Sequence, residues 1–207
     1  MKVIVACEFS GVVRDAFLRW GHDAISCDIL PSLTEGPHIQ GDIRSVDLSR
    51  FDLMIAHPPC TDLAVSGERH FHPRYDDAGN VVSVGKIADG RQGWALDFVR
   101  WLMDAPVERI AIENPISVIS SQVRKPDQVI QPYQFGHPTT KATCLWLKNL
   151  PKLTPTDIVE PEYGYTKTGK KYDKWWLWTS SLPHPQREHE RSKTFQGIAE
   201  AMAEQWS

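Results

Sequence analysis

The chain has 207 residues, 41% of them apolar and 24% charged, with a net charge of -3. That length and balance suit one globular domain able to bury its own core. No apolar run approaches the length of a membrane span, and the opening MKVIVACEFSG lacks the stretch and cleavage site of a signal peptide. A membrane partner is therefore not expected, and the cytoplasm is the expected address.

The first half alternates short apolar strands with amphipathic helices. Val3–Cys7 is an apolar run followed by the turn Phe9-Ser10-Gly11, and a helix then carries Val13, Phe17 and Trp20 on one side as far as Gly21. The next strand is Ala24–Ile29, and another is Leu53–His57, stopped by Pro58-Pro59. Between Ser66 and Gly93 four glycines and several charges break the pattern, which predicts a long loop or hairpin over 66–93 and suits an active-site lid. From Arg91 to Met103 the residues Trp94, Phe98, Trp101 and Leu102 recur at helical spacing, with both tryptophans read as core. Arg109–Ile112 is a strand running into a turn at Glu113-Asn114-Pro115, and Thr143–Leu147 is a further strand. Residues 151–190 form a second irregular stretch, and 192–206 a terminal amphipathic helix with Phe195, Ile198, Ala199, Met202 and Trp206 on one face.

Strands separated by helices predict an α/β fold with a mostly parallel sheet. Ligands of open α/β sheets bind beyond the carboxyl ends of the strands. Glu8, Asp28, the His57–Cys60 turn and Glu113 all fall at or just after predicted strand ends, so they are expected to share one crevice. His57 itself reads as a packed or turn-forming histidine.

The four cysteines, Cys7, Cys27, Cys60 and Cys144, lack Cys-x-x-Cys or Cys/His ligand spacing, so neither a metal site nor a disulfide framework is expected. Charge is uneven: residues 1–120 have a net charge of -6 and residues 121–207 a net charge of +3. Within 163–193 Lys167, Lys170, Lys171 and Lys174 lie among Tyr163, Tyr165, Tyr172, Trp175, Trp176 and Trp178, a mixture that suits a phosphate backbone and exposed bases. A solvated loop with core tryptophans gives the same composition. Arg69, His70, His72 and Arg74 of the 66–93 loop are the next candidates for such a surface.

The chemistry of these strand ends has a sharper reading. Cys60 stands on a rigid Pro58-Pro59 turn, and Glu113 ends another strand. With Glu8-Phe9-Ser10-Gly11 after the first strand, Asp28 ending the second and a Gly41-Asp42-Ile43 turn, the order and spacing over residues 1–120 resemble the DNA cytosine-5 methyltransferase family. The resemblance implies a Rossmann-like methyltransferase fold with helices on both faces of the sheet, S-adenosylmethionine as cofactor and DNA as partner. It implies Cys60 as the nucleophile that adds to C6 of cytosine and Glu113 as the acid at N3. Glu8, Phe9, Ser10, Gly11, Asp28, Asp42, Ile43 and Pro58 would hold the cofactor, with Asp28 on its ribose. Lys141 stands in for the arginine that reaches the cytosine. Beyond residue 120 the family pattern thins and no large target-recognition domain is present; residues 151–190 stand in its place, with Lys167, Lys170, Lys171 and Lys174 on DNA. The chain is similar to the compact methylases of bacteriophages and prophages, which puts it in a bacterial or phage-infected cell, as a single domain and a monomer.

Two readings of other classes stand beside this one. An amino-methyltransferase acting on adenine N6 or cytosine N4 would carry Asp, Asn or Ser before Pro-Pro and an aromatic after it, where this chain has His57 and Cys60. A catalytically silent binding protein of the same fold has no need of an intact Cys60 and Glu113. A related variant would act on free deoxycytidine nucleotides.

Overall fold

Alternation of buried side chains along the strands sets the architecture of the computed structural model, which describes residues 1–207. In chain order the elements begin β1 (Lys2–Ala6), α1 (Val12–Arg19), β2 (Asp23–Asp28), β3 (His38–Gln40) and β4 (Leu53–Ala56). A ribbon of β5 (Arg74–Tyr75) and β6 (Val81–Ser83) precedes α2 (Arg91–Met103), β7 (Arg109–Pro115), α3 (Ile119–Gln122), β8 (Gln128–Ile130) and β9 (Thr143–Lys148). A second ribbon, β10 (Tyr163–Tyr165) and β11 (Lys171–Asp173), leads into α4 (Lys174–Ser181), α5 (Gln186–Ser192) and α6 (Gln196–Gln205).

The central sheet has seven strands in the order β3-β2-β1-β4-β7-β9-β8. All neighbours are parallel except β9, which runs antiparallel to both β7 and β8. The fold is therefore α/β with a mostly parallel, Rossmann-like sheet. Because side chains alternate across a strand, Val3 and Val5 face one side and Ile4 and Ala6 the other, each joining a different buried cluster. On the first side lie α1 and α6, through Val13, Phe17, Ile198, Met202 and Trp206; on the second lies α2, through Leu96, Val99 and Leu102. Parallel strands covered on both faces read as apolar runs, which is why β1 and β4 stand out in the sequence. No helix is long and apolar enough to cross a membrane.

Several expectations need correction. Trp20 is 48% exposed, because α1 stops at Arg19 and Trp20 lies in the cap beyond its buried face. Trp94 and Trp101 are 58% and 37% exposed rather than core. At about 100° per residue, the stripe Trp94, Phe98, Trp101 lies roughly a third of a turn from the face that buries Leu96, Val99 and Leu102. Its rings stack on one another at the surface, with centroids 5.9 and 6.0 Å apart. Glu113, Asn114 and Pro115 do not form a turn; they continue β7 and pair with Leu145, Cys144 and Thr143 of β9. The short strands β3 and β8 have no signal of their own, since three residues are too few to display a period.

The sheet places the site. The chain runs outward from β1 to β2 and β3, then returns to lay β4 and β7 on the other side of β1. This reversal leaves a crevice beyond the carboxyl ends of β1 and β4, the usual ligand position of such sheets.

Candidate active site

A cleft of about 950 Å³ opens at that point. Its wall contains Glu8, Phe9 and Ser10 after β1, Asp28 at the end of β2, Asp42 and Ile43 after β3, and His57, Pro59 and Cys60 after β4. The expected convergence of strand ends is thus observed for Glu8, Asp28 and the His57–Cys60 turn, but not for Glu113. Gly11, Pro58, Glu113 and Lys141 are not on the wall but behind it, each tied to residues that are. The 66–93 segment divides: Ser66, Gly67, Arg69 and His70 reach the cleft, whereas Arg74 belongs to the β5–β6 ribbon.

The β1–α1 turn is built around a carboxylate. Glu8 is buried, and its two oxygens accept from the backbone N–H groups of Val13 (2.7 Å) and Arg14 (3.2 Å), while Ser10 donates to it at 3.2 Å. It therefore satisfies free amides in the first turn of α1, work that a cap side chain would ordinarily do. Gly11 supplies the sharp entry to the helix: its φ is 76°, and a Cβ there would collide with Thr34 Oγ1. Arg14, fully buried in α1, donates to Ser26, Ser32, Thr34 and the Glu35 carbonyl, holding the 32–35 loop beside the cleft.

Two carboxylates differ along the neighbouring wall. Asp28 accepts one hydrogen bond, from the Leu30 amide at 2.9 Å. Burial raises its pKa against the opposing pull of that amide and of His38. Asp42 is already engaged, because the Arg44 guanidinium donates to both of its oxygens, which lowers its pKa. Arg44 in turn lies over Trp94 and Phe98 at 5.6 and 5.8 Å, and both rings line the cleft.

Cys60 sits at the other end of the cleft, its surface partly open. The enclosing walls and the Glu113 carboxylate raise its thiol pKa, opposed by the charges of Lys141 and Lys86. Its turn is braced from several directions. The Cys60 carbonyl accepts from Leu63 and Ala64, and Asn114 donates to the Pro58 carbonyl at 2.8 Å. Lys86 donates to the Thr61 carbonyl and pairs with Asp62 at 3.2 Å.

Glu113 is linked to this turn by an interaction the sequence did not suggest. His57 Nδ1 lies 2.9 Å from Glu113 Oε2, with both side chains largely buried. Burial opposes charge on His57, but the hydrogen bond and charge of Glu113 outweigh it and raise the imidazole pKa. Burial likewise opposes charge on Glu113, and there His57 and Lys141 prevail and lower the carboxyl pKa. Each side chain thus favours the charged form of the other. His57, read from the sequence as packed or turn-forming, is packed and in addition joins β4 to β7 at the cleft wall. No local pattern marked it, since its partner is 56 residues away.

Lys141 is held by its Nζ donating to the Arg191 carbonyl at 2.7 Å and lies 5.7 Å above the rings of Trp175 and Phe195. Burial lowers its pKa, while Glu113 and Cys60 hold it up. Lys167, Lys170, Lys171 and Lys174 do not reach the cleft. They occupy the β10–β11 ribbon and the start of α4, where Lys171 sits 4.0 Å above the Tyr163 ring and Lys174 pairs with Glu162 at 2.9 Å. The arginines that line the cleft are instead Arg69, Arg187 and Arg191, with Arg44 engaged by Asp42. The ribbon's anchor is Asp173, also unforeseen, which is buried and accepts from Thr139 Oγ1, from the Thr140 amide and hydroxyl, and from the amides of Trp175 and Trp176.

No protein-family model matches the chain. Over 88 residues it is 31% identical to the 1-deoxy-D-xylulose 5-phosphate reductoisomerase of Geobacter metallireducens. That match covers 42% of this chain and 22% of that protein, so the chain spans about a fifth of the length of the curated relative it matches.

Proposed function

We propose that this protein transfers a methyl group from S-adenosylmethionine to C5 of cytosine in DNA, with Cys60 as nucleophile. The observation that carries the reading is the meeting, at the ends of adjacent parallel strands, of a cleft-facing cysteine with a buried His57–Glu113 pair. Carbon 5 of cytosine is a poor nucleophile until a thiolate has added to C6, and the charge that then develops must be quenched at N3.

The β1–α1 turn bears on the class of cofactor. A dinucleotide sets its pyrophosphate on the free amides of the first helix N-terminus. Here the Glu8 carboxylate takes the amides of Val13 and Arg14, and a phosphate in its place would meet a negative charge. A cofactor with a nucleoside but no phosphate fits this turn. Asp28 retains lone pairs for the two adjacent ribose hydroxyls, and the apolar surfaces of Ile29, Leu30 and Ile43 suit a purine. When bound, S-adenosylmethionine supplies an electrophilic methyl group and a positive charge.

The residues divide the remaining work. The Cys60 sulfur forms a bond to C6, for which its raised pKa must be overcome by local positive charge, and Lys141 with Lys86 supplies it. Glu113, with His57, manages the proton at N3. Removal of the C5 proton and expulsion of the thiolate then restore the ring. Arg69, Arg187 and Arg191 on the rim are suited to phosphates flanking an extruded base.

The test is incubation of DNA with methyl-labelled S-adenosylmethionine, followed by nucleoside mass spectrometry. Labelled 5-methyldeoxycytidine is the expected product. Label in N4-methylcytosine or N6-methyladenine, or in no nucleoside, overturns the reading.

A further inference from the structure

Glu113 faces a difficulty as the acid at N3. His57 and Lys141 hold its carboxyl below the usual range, so it enters the reaction without a proton. His57 Nδ1 is the hydrogen-bond partner of its side chain, and no other group of the chain donates to it. That contact is the one route by which the chain itself can hand it a proton. His57 Nε2 is buried and makes no hydrogen bond. Native interiors seldom leave such a group without a role, and a histidine placed only to fill space would not need the pair.

We propose that His57 holds the proton delivered to cytosine N3, passing it through Glu113 as Cys60 adds to C6. The inference rests on the cytosine-C5 reading. In the step, Sγ forms a bond to C6 and the C5=C6 electron pair shifts to C4–C5, displacing the C4=N3 pair onto N3. Glu113 gives N3 its proton and takes one from Nδ1, leaving neutral imidazole. C5 then takes the methyl group from the sulfonium, which leaves as the neutral thioether; a water molecule takes the C5 proton, its bonding pair restores C5=C6 as the thiolate departs, and the proton on N3 returns to the pair. The methyl group replaces one proton, and no oxidant or reductant is required.

His57 is thus a positioning and proton-holding residue, acting on the base through Glu113. The charged groups around it are Glu113 on β7, Glu8 after β1, Asp28 at the end of β2 and Lys141 before β9. The carboxylates favour the imidazolium, Lys141 opposes it, and the balance lies with the charged form. The imidazolium therefore persists beyond the pH at which a free imidazole loses its proton. It is lost as pH rises through its own raised pKa.

The experiment compares methyl transfer against pH for the wild type and His57→Gln, at saturating DNA and cofactor. The wild-type rate should pass through a maximum governed by two groups, because Cys60 must be ionised and His57 protonated at once, and should therefore fall at high pH. In His57→Gln the falling limb should vanish and the maximal rate drop by about 100-fold, a typical contribution of general acid catalysis. A falling limb of unchanged position in His57→Gln overturns the proposal. Nitrogen-15 NMR of the imidazole provides a readout that needs no variant of His57. Nδ1 should stay protonated above the ordinary histidine range, and Glu113→Gln should bring its titration back down. An imidazole already neutral at pH 7 in the wild type overturns the proposal equally. Trapping on DNA containing 5-fluorocytosine separates the two levels of failure. An adduct together with an unchanged falling limb sinks this inference alone, whereas no adduct and no methyl transfer by the wild type sinks the C5 reading with it.

Discussion

The strand-end cleft and the basic ribbon at 163–173 are held in opposite ways. In the cleft the polar side chains bind one another across neighbouring strands: His57 of the β4 turn meets Glu113 of β7, and Asn114 holds the Pro58 carbonyl. The ribbon's lysines are exposed, and what fixes it is one buried carboxylate at its base, Asp173, tied to Thr139 and Thr140. Change at a cleft-facing group such as Cys60 is therefore expected to alter chemistry with little effect on folding, and change at the foot of the second region to alter folding. The contrast also separates two kinds of positive charge. Lys141 is half-buried and pointed by a hydrogen bond, whereas Lys167 and Lys170 are exposed at the ribbon's tip.

The largest effect is expected at Cys60. Cys60→Ser should abolish methyl transfer, because an alcohol is far less ionised than a thiol and a weaker nucleophile towards C6. Cofactor affinity by calorimetry and thermal stability should remain those of the wild type, since the side chain is partly open and outside the packed core. Turnover by the serine variant at the wild-type rate would remove the thiolate mechanism.

Next in size is Asp173→Ala. It deletes the acceptor for the start of α4 and for the Thr139–Thr140 segment, leaving buried donors unpaired. A loss of about 2–4 kcal/mol is expected, combining a helix cap with hydrogen bonds to a charged group. Denaturant unfolding measures it, and an unchanged midpoint would show that the ribbon is supported elsewhere.

Asp28→Ala should weaken S-adenosylmethionine binding by about 10-fold, the equivalent of one good hydrogen bond to a charged acceptor. Unaltered affinity by calorimetry would move the ribose contact away from β2.

The smallest effects are expected on DNA binding, and they test the comparison directly. Arg69→Ala with Arg187→Ala should flatten the dependence of log K on log salt by about 0.9 for each phosphate that is no longer neutralised. Replacing Lys167, Lys170, Lys171 and Lys174 with alanine should flatten it less and leave cofactor affinity alone. A larger change from the lysine set would make the ribbon, rather than the cleft rim, the principal DNA surface.

The order of residues along the chain was enough for the α/β pattern and the chemical inventory of the site. Buried parallel strands need apolar runs, and the polar residues that interrupt such runs fall at strand ends; Glu8, Asp28 and Cys60 were found this way. Packing in three dimensions then determined which of these groups face the cleft and which are spent on the fold. Glu8 lines the cleft but caps α1, Asp42 lines it but is taken by Arg44, and Glu113 is reached through His57. Packing also determined which aromatic residues are buried, since helical spacing groups Trp94, Phe98 and Trp101 on one stripe but does not reveal which stripe meets the sheet. Arg14, His57 and Asp173 were out of reach for the same reason. Each is buried only because partners distant along the chain satisfy it, and the chain's local order carries no record of those partners.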